Sequence, residues 1–157
     1  MTDDRETVSY DTVRERIAPC GLNCHKCALH IDSEIKRHSA ALAHALGPNF
    51  GSYAKHLFTA VDPAFEEYEA FQAILDYLAN GSCASCRSGE CPFYLCRVRE
   101  CVVEQEVDFC FQCDLFPCDR SGMSGPLLDR WRTNNETMKE LGAVEYYLKV
   151  RDLPRYP

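Results

Sequence analysis

No stretch of this sequence approaches the roughly 20 consecutive apolar residues that a membrane-spanning helix requires. The polar opening Met1-Thr2-Asp3-Asp4-Arg5-Glu6 has no apolar signal core behind it, so export is not expected. Basic residues are scarce for a binder of phosphate backbones. Only 17 Lys and Arg stand against 24 Asp and Glu, a formal charge of -7. The phosphate-cradling G-x-x-x-x-G-K-S/T loop is missing, and so is the G-x-S-x-G elbow of a serine hydrolase. There is no low-complexity tract and no repeat longer than C-x-x-C. Even cysteine is absent from residues 28–82. These absences leave a cytoplasmic chain with no membrane partner, for which nucleic acid is disfavoured and a protein or a small molecule is the remaining kind of partner.

Against that background, 11 cysteines in 157 residues demand a reason. Single domains commonly run about 100–150 residues, and a chain near that size buries about two thirds of its unfolded surface. It can fold without disulfides. In a reducing compartment, clustered thiols serve metals or catalysis. The count is odd, so a fully paired disulfide framework would leave one thiol over. The spacing is uneven too. Three cysteines lie at Cys20, Cys24 and Cys27, and eight fall between Cys83 and Cys118.

The cysteine-free stretch reads as helix. Ile31, Ile35, His38, Leu42 and Leu46 recur at helical spacing, and Gly47-Pro48-Asn49 stops them. Tyr53, Leu57 and Val61 predict a short second helix. Asp62-Pro63 supplies an N-cap with proline at the first helical position, and Glu66 and Glu67 suit the early turns. Phe65, Tyr68, Phe71, Leu75 and Leu78 form the expected buried stripe, ended by Asn80-Gly81 in a left-handed cap. From Cys83 to Cys118 periodicity fails, apart from one short helix expected within 97–106. That segment reads as loops unable to bury their own backbone without a staple. Two helices are expected afterwards, over 127–131 and 135–150, with Gly142 bending or splitting the second.

Three C-x-x-C pairs are present: Cys24/Cys27, Cys83/Cys86 and Cys110/Cys113. Two intervening residues let both sulfurs face one ion from a tight turn, the knuckle of structural zinc and of iron–sulfur sites. With five further cysteines nearby, the pattern points to metal. It does not choose the metal, because soft thiolates suit both zinc and iron–sulfur clusters. The candidate ligands are Cys20, Cys24, Cys27, Cys83, Cys86, Cys91, Cys96, Cys101, Cys110, Cys113 and Cys118. The six thiols of the three pairs come first, and Cys20, Cys96, Cys101 and Cys118 next. Two closed sites of four thiolates leave three thiols, so an ion held from both blocks would clamp the intervening helices. His30 is spaced to complete a site; His25, adjacent to Cys24, is poorly placed to share its ion. Arg87, Arg97 and Arg99 lie among the thiols and would offset the net negative charge of a four-thiolate zinc site.

The run Cys20-Gly21-Leu22-Asn23-Cys24-His25-Lys26-Cys27 resembles the cluster motif of radical S-adenosylmethionine enzymes, in which three thiolates hold a [4Fe-4S] cluster. The match spans eight residues, Lys26 replaces the usual aromatic, and the helical chain downstream lacks the strand–helix alternation of that family's barrel. A second resemblance is broader. Ala18-Pro19-Cys20-Gly21-Leu22-Asn23-Cys24-His25-Lys26-Cys27, Cys83-Ala84-Ser85-Cys86-Arg87, Cys96-Arg97-Val98-Arg99-Glu100-Cys101 and Phe109-Cys110-Phe111-Gln112-Cys113-Asp114-Leu115-Phe116-Pro117-Cys118 look like four ordered signatures of one family. The tail Asn134-Asn135-Glu136-Thr137-Met138-Lys139-Glu140-Leu141-Gly142 is similar as well. Together they resemble the cysteine-rich domain-of-unknown-function family 3795. The resemblance implies metal binding, usually presumed to be zinc, and no known reaction. His30 stands where an aromatic is more usual in that family, and Cys91 is an extra thiol.

The expectation is one mainly α-helical domain over 1–157 with an irregular, metal-stapled cysteine lobe. The N-terminal knuckle and helices occupy 20–82, the cysteine-rich lobe 83–120 and the C-terminal helices 126–151. The expected function is a cytoplasmic zinc protein with structural sites, serving as an interaction or recognition module. The alternative is an iron–sulfur protein with a redox role. Catalysis is the weaker reading, because a ligand-spaced thiol is more often a ligand than a nucleophile.

Overall fold

Side chains of Ser9, Ser33 and Asp62 cap three helical segments in the computed structural model, which describes residues 8–156. The polar opening, with the reading that it lacks a signal core, lies outside these residues. The chain is mainly helical, as expected. Among the described residues it has no strand, only an isolated bridge pairing Ile17 with Asn23. Backbone contacts group it into two compact units: one formed by the chain up to His25 together with Cys83 onward, the other Lys26–Ser82.

In the unit Lys26–Ser82, Ser33 caps helix α2 (Glu34–Leu46) by accepting the Lys36 N–H at 3.1 Å. Gly47 ends it at φ 72°, as the sequence predicts. Helix α3 (Phe50–His56) stops earlier than the Tyr53, Leu57, Val61 spacing predicts, and those three side chains are exposed. The segment buries Ala54 and half-buries a run of rings: Phe50 stacks on Phe58 at 5.6 Å, and Phe58 on Phe65 at 5.1 Å. Asp62 caps as expected, accepting the Ala64 N–H at 2.8 Å. It caps a 3-10 turn (Pro63–Glu67), and helix α4 (Tyr68–Ala79) starts only after it. Helix α4 packs on α2 and buries Tyr68 and Leu75, whereas Phe71 of the expected stripe is exposed. The expected left-handed end at Gly81 is not found. Asn80 closes the helix, its Nδ2 donating to the Asp76 carbonyl at 2.7 Å. Gly81 is needed for another reason: a Cβ there would meet the Leu29 carbonyl oxygen at 2.9 Å.

The other unit opens with helix α1 (Tyr10–Arg16), capped by Ser9. The sequence reading missed it, since seven residues are too few for a helical period to show. Helix α5 (Val98–Glu104) is the short helix expected among the cysteines. The C-terminal expectation needs correction. One helix, α6 (Gly125–Leu141), runs unbroken through the gap expected near 132–134. The break falls at Gly142, φ 82°, before α7 (Ala143–Val150). Asn135 is tolerated inside α6 because its polar atoms are satisfied: Oδ1 accepts the Phe111 N–H and Nδ2 donates to the Trp131 carbonyl, each at 3.0 Å. Two apolar clusters fill this unit. Val13, Ile17, Phe109, Met138, Tyr146 and Tyr147 belong to one. The other contains Trp131, Val98 and Val102, together with Cys20, Cys86 and Cys110.

Candidate functional site

The loop that carries Cys20 is built by short backbone bonds. Ala18 donates to the Leu22 carbonyl and Gly21 to the Ala18 carbonyl, both at 2.8 Å. Such a tight loop needs a left-handed residue, and Gly21 takes φ 82°. The same glycine lies so close to α6 that a Cβ would meet the Asn134 Cβ at 2.5 Å. Its carbonyl accepts the Tyr146 hydroxyl at 2.6 Å and the Asn134 Nδ2 at 3.3 Å. The knuckle at Cys110 is tied to this loop directly, because the Cys110 N–H donates to the Pro19 carbonyl at 3.1 Å. Cys20 and Cys24 therefore share one unit with the distal thiols, and backbone bonds tie the Cys20 loop to Cys110, with α6 and α7 bracing that loop.

Cys20, Cys83, Cys86 and Cys110 are buried, and the other seven cysteines are half-buried. Burial pushes the Cys20 thiol well up; the Leu22 N–H opposes this, and the neighbouring Cys24, Cys86 and Cys96 add to it. Cys86 rises to about 12, chiefly by burial and then through Cys24, Cys96 and Cys91. Burial also raises Cys96, against backbone donors at Val98 and Arg99. Cys110 rises to about 12 by burial, with the Trp131 indole acting downward and Cys101, Cys118 and Cys96 upward. Cys101 is raised by burial, lowered by Arg120, and raised again by Cys118 and Cys113.

These mutual influences fall mainly within two sets of thiols, with Cys96 of the first also acting on Cys110 of the second. Cys20, Cys24, Cys86, Cys91 and Cys96 form one; Cys101, Cys110, Cys113 and Cys118 form the other. Among the described residues, no group of three or more His, Cys, Asp or Glu side chains is placed so that it could hold a metal ion. Cys27 lies in the other unit, where it is the single cysteine. Its carbonyl accepts the His30 N–H at 3.0 Å. His30 is buried there, and its Nδ1 accepts the Asp32 N–H at 3.1 Å. His30 thus organises the turn that leads into α2.

The arginines among the thiols have distinct tasks. Arg87 donates to the Arg14 and Asp108 carbonyls, both at 2.8 Å, and its guanidinium lies 5.2 Å from the centre of the Phe109 ring. It is mainly a brace between loops, with Cys86 and Cys24 in its electrostatic surroundings. Arg99 lies beside Cys96 and acts to lower its pKa. Arg120, unremarked in the sequence, pairs with Glu104 at 2.9 Å and lowers Cys101. Both line a polar cleft of about 350 Å³ that also exposes Arg97, Glu100 and Asp119 beside Cys101.

Sequence reasoning also missed Trp131. Its ring packs edge-on against Phe116 at 5.1 Å. Its Nε1 is buried without a hydrogen bond of good geometry among the described residues, although the Cys110 thiol feels it. No local signal marks this tryptophan, since its role depends on packing against residues distant in the chain. Asn134 and Asn135 were visible only as part of a tail signature.

The family model described as "Protein of unknown function (DUF3795)" matches residues 16–123, more than half of the chain, and the chain belongs to this family. No curated protein and no solved structure matches it. No helix among the described residues is long and apolar enough to cross a membrane.

Proposed function

We propose that this member of the DUF3795 family is a cytoplasmic zinc protein whose metal is structural and whose surface serves recognition of a protein or small molecule. The observation that carries the reading is the burial of Cys20, Cys86 and Cys110 within one apolar core. Isolated buried thiols pack as small apolar groups, but here several sit near enough to disfavour one another's ionisation. A divalent ion reverses that balance, because it holds thiols as thiolates and cross-links the loops that carry them. The donor chemistry fits zinc. The neighbourhood of Cys20, Cys24, Cys86, Cys91 and Cys96 would supply one set, and Cys101, Cys110, Cys113 and Cys118 the other. Cys83 enters the proposal through its C-x-x-C partner Cys86. Loading requires the sulfurs to draw together from their present positions, which is the usual coupling of metal binding to folding.

The surrounding residues are suited to thiolates rather than thiols. The Trp131 N–H would gain an acceptor in a Cys110 thiolate, and donors of this kind orient and tune metal ligands. Leu22, Val98 and Arg99 already direct backbone N–H groups at Cys20 and Cys96. Arg99 and Arg120 offset negative charge in the two neighbourhoods.

Elemental analysis with an absorption spectrum, on protein purified anaerobically, tests the proposal. Colourless protein holding about two zinc ions per chain is expected, one for each set, four thiolates being enough to close a site. Brown protein containing iron and sulfide would instead establish the iron–sulfur reading. A fully folded chain that retains no metal would overturn both.

A further inference from the structure

The unit Lys26–Ser82 contains a cavity of about 350 Å³. That is within the size range of small-molecule sites, roughly 300–1,000 Å³. Four rings line it: Phe50, Phe65, Tyr68 and Phe71. They belong to one continuous aromatic cluster, with Phe50 and Tyr68 centred 5.2 Å apart and Tyr68 and Phe71 5.9 Å apart. Leu42 and Leu46, from the last turns of α2, close another side. The charged side chain in the lining is Glu67.

The rings and the carboxylate that line this cavity favour the same sign of ligand charge. Aromatic faces carry negative quadrupole density and attract cations. The C-terminal end of α2, where Leu42 and Leu46 lie, carries partial negative charge. The opposite charge at the start of α4 is offset by Glu67, which stands at its N-cap. Glu67 makes no side-chain capping bond, and its carboxylate enters no ion pair among the described residues. An anion would be repelled here. A neutral apolar ligand would fill the space and gain nothing from the carboxylate. A hydrated metal ion would gain nothing from rings and leucines.

We infer that this cavity binds a small alkylated ammonium ion, its apolar groups against the Phe50, Phe65, Tyr68 and Phe71 rings and its charge facing Glu67. The site is independent of the proposed metal chemistry and stands whether or not zinc is bound.

The test is a titration of the full chain with choline and with its uncharged analogue, in which carbon replaces the quaternary nitrogen, followed through the NMR shifts of the Phe50, Phe65 and Tyr68 rings. Choline should give saturable shifts and bind about tenfold more tightly than the analogue, since charge is all that separates them. Glu67→Gln should weaken choline about fivefold and leave the analogue unchanged. Glu67 is exposed, so the variant should melt like the parent. Phe65→Leu should weaken choline while conserving an apolar lining. Equal affinity for the two probes, an unaltered preference in Glu67→Gln, or shifts that never saturate would each overturn the inference.

Discussion

The two units differ in opposite ways when judged by pattern and by burial. Residues 26–82 show clear helical periodicity, caps and stops, yet Ala54, Tyr68 and Leu75 are the apolar side chains buried there among those described. Tyr53, Leu57, Val61, Ile74 and Tyr77 remain exposed. The cysteine-bearing unit has little period, yet it buries Val13, Ile17, Phe109, Trp131, Met138 and Tyr146 almost completely. Periodicity reports which face of a helix is apolar; it does not report how deeply that face is covered. Helices from both ends of the chain, α1, α6 and α7, supply the core around the loops of the cysteine segment.

Removing Trp131 should widen this contrast most. Trp131→Ala empties the centre of the thiol-lined cluster and should cost about 3–5 kcal/mol, read from urea midpoints. Leu75→Ala, its counterpart in the other unit, should cost about 2–3 kcal/mol, because its neighbourhood is shallower and can relax. A reversed order would show that the deep core is not where the thiols are.

A pair of glycines sharpens the same comparison. Gly21 and Gly47 have similar positive φ, 82° and 72°, but a Cβ at Gly47 would meet nothing within 4 Å. Gly47→Ala should therefore cost only the left-handed strain, about 1–2 kcal/mol. Gly21→Ala adds the collision with Asn134 and should cost about 3 kcal/mol in total. Thermal melts of the two variants check the difference. Equal losses would mean that the Cys20 loop is not braced by α6.

Tyr146→Phe probes the other brace and should cost about 1 kcal/mol at neutral pH, since one hydrogen bond to the Gly21 carbonyl is lost. The phenol adds a pH signature. Burial raises its pKa from 10.0 to about 12. The folded state then keeps a proton that the unfolded chain has already released. This contribution is complete below pH 10 and is lost as pH rises through about 12. The phenylalanine variant has no such loss, so its deficit against the parent should narrow above pH 10. Urea titrations on either side of that pH would expose a constant gap if the phenol were not buried.

Much of the fold was legible because it rests on local chemistry. Gly47 and Asp62 act at one helix end each, within three or four residues of what they cap. Gly81 and the single helix α6 were misread because their reasons are not local. Gly81 answers to the Leu29 backbone, and Asn135 is acceptable within a helix only because Phe111 offers it an N–H. The grouping of thiols was only partly legible. C-x-x-C spacing pairs neighbours in sequence, but the proximity of Cys20 and Cys24 to Cys86 and Cys96 follows from how the first loop is tied through Pro19 to Cys110, and through Gly21 to α6 and α7. Arg120 and Trp131 gave no signal at all, being ordinary residues until the fold sets them beside Cys101 and Cys110.

Hydrogen exchange on the full chain, with and without a zinc chelator under reducing conditions, tests most directly whether metal holds the thiol-bearing unit. Zinc held by that unit predicts that chelation strips amide protection from α5, α6 and the loops around Cys20 and Cys110, while α2 and α4 keep theirs. Protection unchanged throughout the chain would contradict the account.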